Sequence, residues 1–169
     1  MATRDYEAPR PSPVVLELEQ LDKGSAVALV GHPLHVLMVH FPIAFVISTL
    51  GVDVFYWWSG DAFWARVGLW TAGMAFWTGL AASIVGTAEL LLVRGIRVRE
   101  ASWSHAVAAM TLLAIAAASW GLRLTDPADI LPHGVALSAL ASVMVGFAGW
   151  HGGKLVFDHG IGIMVSAKH

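Results

Sequence analysis

The chain has 169 residues, of which 57% are hydrophobic and 13% charged, against about 25% charged in an ordinary soluble domain. So few charges cannot cover a water-facing globule, so lipid must face much of the surface. The net charge of −2 gives no reason to expect nucleic acid as a partner. With no cysteine, disulfides, cysteine-ligated iron–sulfur clusters and thiol catalysis are excluded.

Residues 1–31 form an N-terminal arm. Arg4, Asp5, Glu7 and Arg10 alternate with Pro9, Pro11 and Pro13, which is unlike a cleaved signal peptide. Within the arm, Val14, Val15, Leu18 and Leu21 line one face of a short surface helix among Glu17, Glu19 and Asp22. The first apolar span covers roughly residues 36–58 and opens on Gly31-His32-Pro33-Leu34-His35. Pro33 suits the first turn of that helix. Pro42 removes the bond to the Met38 carbonyl and is expected to kink it.

Three further stretches, about 63–93, 103–124 and 130–151, reach the roughly 20 helical residues that a bilayer core requires. The second exceeds that length and is expected to tilt or emerge from lipid. Eight of the ten Lys and Arg residues lie before span one, between spans two and three, or after span four; only Arg66 and Arg123 lie on the other side. That bias puts both termini in the cytoplasm. Small residues at Gly79, Ser83 and Gly86, and at Ser138, Ser142, Gly146 and Gly149, allow close helix contact. Gly152-Gly153 is expected to stop span four and start a glycine-containing tail, 153–169, that folds back over the cytoplasmic mouth. The expected fold is all-α: a four-helix transmembrane bundle over 32–152, with a short arm and a tail.

Six of the eight histidines, His32, His35, His40, His105, His151 and His159, gather at the cytoplasmic ends of these spans. An imidazole in or beside lipid is costly unless a partner, metal or cofactor uses it. His40 heads a face with Ala44, Ile47 and Gly51, and His105 heads one with Ala108, Ala109, Leu112 and Ala116. Two small-lined faces at similar depth leave a slot for a flat macrocycle, so His40 and His105 are candidate axial ligands of haem b. His35 and His40 point about 140° apart on an ideal helix, so a second site would pair His35 or His32 with His159, giving one or two haems; His151 is an alternative partner. Arg94, Arg97 and Arg99 are placed to meet haem propionates, although the positive-inside bias alone explains them. Glu89 at the end of span two is a hydrogen-bond acceptor for a ligating histidine, a proton acceptor, or a partner of Arg94. Asp53 and His133, toward the opposite face, reach interfacial water.

The segments Gly31-His32-Pro33-Leu34-His35, Val39-His40-Phe41-Pro42-Ile43 and the run from Gly152 to Gly162 resemble the bacterial membrane family called domain-of-unknown-function 2231, over roughly residues 31–163. Family members usually carry a second proline where this chain has Val36. His105 matches a histidine of the family's third span; His151 does not match. The resemblance implies four membrane helices and a bacterial inner-membrane home. Fusion of some members to Rieske-type iron–sulfur domains implies redox work.

The first functional expectation is therefore a haem b-binding electron-transfer subunit with no catalysis of its own, embedded in the lipid bilayer and working with a larger membrane redox complex. A second is a non-haem metal site built from His35, His40, Glu89 and His105. A third is a cofactor-free accessory or assembly subunit. No nucleophile–base pair or phosphate-binding glycine loop suggests an enzyme.

Overall fold

The computed structural model of the chain describes residues 13, 23–126 and 130–163. The surface helix expected around Val14 to Leu21 lies outside the described residues. Strands β1 (Ala28–Leu29) and β2 (His32–Pro33) form a small antiparallel hairpin. Helices α1 (Leu34–Met38), α2 (His40–Ser59), α3 (Ala62–Leu92), α4 (Arg94–Arg97), α5 (Glu100–Arg123) and α6 (His133–Phe157) follow.

Four units are long and apolar enough to cross a membrane: Leu34–Ser59, Ala62–Leu92, Glu100–Arg123 and His133–Phe157. They match the four expected spans. Their interiors are lined by small side chains, including Ala65, Gly68, Ala72, Ala75 and Ala82 on α3 and Ala141 and Ala148 on α6. The large apolar groups point outward instead, among them Trp57, Trp58, Trp70, Trp77, Phe147 and Trp150. A lipid-bathed bundle is built this way: small residues let backbones approach, and bulky ones meet acyl chains at no cost. Around the bundle α2 packs on α3 and α6, and α5 packs on the same two helices. Spans one and three therefore face each other across one diagonal, and spans two and four across the other.

Span one breaks at Val39, between α1 and α2, where Pro42 leaves the Met38 carbonyl without its helical donor, as expected. The segment before it differs from expectation. Pro33 is the residue preceding the helix rather than its first residue. Val30 (φ 49°) and Gly31 (φ 76°) make a two-residue left-handed turn, and Leu29 pairs with His32. Two consecutive positive φ values match the twist of a hairpin, which is why a glycine sits there. Residues 25–27, within the expected arm, dock on α3, as described below.

The end of span four also corrects the sequence reading. Gly152 and Gly153 do not stop α6; the helix runs on to Phe157. It ends at Gly160 (φ 67°), where the Gly160 and Ile161 N–H groups donate to the Val156 and Leu155 carbonyls. The tail then turns back, and Ile161 packs with Leu90, Val93, Ile96 and Leu155.

Candidate functional site

Two imidazoles meet at the end of the bundle that carries the hairpin and the tail. His35 comes from α1 and His105 from α5, the diagonal pair. Their ring centres are 6.3 Å apart with planes inclined at 79°. His35 Nδ1–H donates to the Ala82 carbonyl on α3 at 2.9 Å, and His105 Nδ1–H donates to the Ala148 carbonyl on α6 at 3.1 Å. A carbonyl can only accept, so Nδ1 carries the proton in both rings and each Nε2 keeps a lone pair. Both rings are half-buried.

The two anchors share one construction. In each case the carbonyl is followed four residues later by a glycine that underlies the ring. A Cβ at Gly86 would stand 2.6 Å from His35 Cε1, and one at Gly152 would stand 3.1 Å from His105 Cε1. Gly152 thus serves close approach of an imidazole to the helix, not helix termination. Spans one and three supply the rings, and spans two and four supply the seats.

The expected pairing of His40 with His105 is not what the chain builds. His40 is exposed, with its Nδ1–H donating to the Leu37 carbonyl at 3.3 Å. The inward face of α2 is Pro42, Val46, Thr49 and Asp53. His40 lies two residues before Pro42, about 200° away around the helix. Its companions Ala44, Ile47 and Gly51 are exposed with it. The face headed by His105 does turn inward, with Ala108 and Ala116 buried.

The remaining histidines stand apart. His32 is exposed and donates Nδ1–H to the Val30 carbonyl at 2.9 Å. His151 donates to the Phe147 carbonyl at 3.0 Å and lies against the Phe147 ring. His159 is half-buried in the turn after α6, and no described contact brings it to His35. Among the described residues no group of three or more His, Cys, Asp or Glu side chains is arranged to hold a metal ion. The four-residue metal site of His35, His40, Glu89 and His105 is therefore not assembled.

Glu89 has a different partner from those expected. It is buried on α3 and accepts from Ser25 Oγ, from the Ala26 N–H at 3.2 Å and from the Val27 N–H at 3.1 Å. The carboxylate fastens the chain just before the hairpin, and the Leu34 N–H then bonds the Val27 carbonyl at 3.0 Å. Arg97 donates to the Leu91 carbonyl and Arg99 to the Gly95 carbonyl, at 2.9 and 3.0 Å. Both close carbonyls at the turn between spans two and three.

At the opposite end lies a polar group that the sequence reading missed. Asp53 and Arg123 form a fully buried ion pair. Arg123 Nη1 also donates to the Ser119 carbonyl and Oγ, both at 2.7 Å. Gly68 of α3 and Gly134 of α6 flank the pair: a Cβ at Gly68 would stand 3.2 Å from Asp53 Oδ1, and one at Gly134 would stand 3.5 Å from Arg123 Nη2. Asp53 thus does not reach interfacial water. A sequence signal was present: two opposite charges toward the same end of otherwise apolar spans are costly unless they meet.

Fold and site together define a four-span integral membrane protein with an imidazole pair at one end and a buried ion pair at the other. The family model described as "Predicted membrane protein (DUF2231)" matches residues 31–164, and the chain belongs to that family. No curated protein and no solved structure matches the chain.

Proposed function

We propose that this protein is an electron-transfer subunit of the membrane in which His35 and His105 hold haem b through Nε2. The observation that carries the reading is the imidazole pair itself. The two rings come from diagonal spans, stand with centres 6.3 Å apart and each keep Nε2 unprotonated, so they are the residues that would hold the iron. Each ring is fixed in the tautomer that ligation through Nε2 needs, by a carbonyl of a neighbouring helix. Among the described residues a bare divalent ion would find only two ligands here, whereas such ions take three or four from protein. Haem would ask this chain for two ligands, and His35 and His105 would supply them. When bound it supplies one-electron chemistry.

The chain's own residues do the rest. Ala82 and Ala148 orient the rings, Gly86 and Gly152 admit them, and the segment fastened by Glu89 lies at the same end as the site. Arg97 and Arg99 stand at this end as well, each with N–H groups beyond the one already bonded, to meet carboxylates of the group. In this reading the protein resides in a bacterial inner membrane and passes electrons to a larger redox complex.

The test is an absorption spectrum of the purified protein produced with ample haem. A Soret band is expected, with reduced-state bands typical of two imidazole ligands. His35→Ala and His105→Ala should each abolish it, while His40→Ala should leave it in place. A folded, colourless protein overturns the assignment. Loss of colour in His40→Ala but not in His35→Ala would return the ligand role to His40.

A further inference from the structure

The geometry points to Asp53 and Arg123 as positioning residues: a clamp that sets the rotation of spans one and three, and so aims His35 and His105 at each other. The inference deepens the proposed function, but its test does not require haem.

Spans one and three lie on a bundle diagonal and pack on spans two and four rather than on one another. Side chains bridge that diagonal at two levels, His35 with His105 at one end and Asp53 with Arg123 at the other. The two levels are 18 residues apart on span three, which is one unbroken helix, and 18 apart on span one, where the break at Val39 falls between them. At 100° and 1.5 Å per residue, 18 residues make five full turns over about 27 Å. On α5, His105 and Arg123 therefore project from the same face at opposite ends. Turning α5 to satisfy the guanidinium turns His105 inward by the same angle.

Apolar packing cannot fix that angle by itself. The buried residues of α5 between the two levels are Ala108, Leu113, Ala116 and Ser119, mostly small, and in lipid one apolar face is solvated as well as another. A fully buried ion pair is directional: Arg123 Nη2 meets Asp53 Oδ2, while Asp53 Oδ1 and Arg123 Nε are buried with no hydrogen-bond partner among the described residues, so the guanidinium is held through its Nη groups alone. The Arg123 fork is itself held by Ser119 of its own helix, so rotation of α5 and position of the guanidinium are tied. Gly68 and Gly134 close on the pair from the other diagonal, and so all four spans contribute to the clamp.

The native chain has no cysteine, so spin labels can be placed at Leu37→Cys and Val107→Cys, two exposed positions beside the two histidines. Labels in the haem-free protein with Asp53 and Arg123 intact should give one narrow distance distribution. The double variant Asp53→Leu/Arg123→Met keeps volume and removes direction. Buried pairs replaced in this way often keep or gain stability, so a pair that serves stability alone would leave the labels unmoved. The clamp requires a helical, thermally stable protein whose narrow distribution is lost. A folded double variant with the native distribution overturns the proposal. If that variant does not fold, Arg123→Lys, which keeps the charge and loses the fork, is read by the same criterion. Absence of a Soret band in the otherwise native protein would sink the haem reading and leave this result standing.

Discussion

Each imidazole depends on a missing side chain across from it. Gly86 and Gly152 are where they are because a ring lies flat over the helical turn that each follows. Gly86→Ala would force its Cβ to 2.6 Å from His35 Cε1, too close for any real contact, whereas Gly152→Ala reaches only 3.1 Å from His105. The first substitution should displace the ring and break its bond to Ala82, at about 1–3 kcal/mol; the second should cost less. Reversible unfolding in bicelles measures both, and the order Gly86 above Gly152 is the expected outcome. In the sequence Gly86 was visible as small-residue spacing and Gly152 as an expected helix stop. That they seat histidines was not, because the seat and the ring lie 51 and 47 residues apart in the chain and no local pattern joins them.

At the scale of elements, the segment before span one is held by few contacts. Three hydrogen bonds to Glu89 fasten residues 25–27, and the hairpin beyond them carries Val30 at φ 49°, a conformation that costs a β-branched residue roughly 1–2 kcal/mol. Glu89→Ala should release this segment while leaving the spans in place. Hydrogen exchange should then speed up at the amides of Ala26, Val27 and Leu34 and stay slow in α3 and α5. Equal acceleration in the spans would mean that Glu89 supports the bundle itself. The break in span one was legible because Pro42 acts on its own helix. The hairpin was not, because its turn includes a valine, which no turn preference favours.

Across the whole molecule the two polar levels are about 27 Å apart, close to the roughly 30 Å of a bilayer core. The imidazole pair and the ion pair thus stand at opposite ends of a bundle whose helices are long enough to cross a membrane. The positive-inside bias gives the expectation that the histidine end faces the cytoplasm; Arg123, one of its two exceptions, is buried in the bundle, which leaves Arg66. Single cysteines at Val98 or Lys154 should react with a membrane-impermeant maleimide from the cytoplasmic side only, and one at Thr125 from the opposite side only. Labelling of Val98 and Thr125 from the same side would contradict four crossings.

What the sequence alone determined was the count of spans, the limits of the first three to within a few residues and the gathering of histidines at one end. These follow from free energies that add along the chain: each residue in lipid contributes by its own transfer cost, whatever its neighbours do. Which face of each span looks inward was decided only by the tertiary structure. A helix of a soluble protein advertises its buried face by polarity on the other, but here Ala44, Ile47 and Gly51 look outward while Val46 and Thr49 look inward. Lipid and protein interior are equally apolar, so composition carries almost no rotational information. Rotation is chosen by small side chains, ring seats and one ion pair, all of which join residues from different spans.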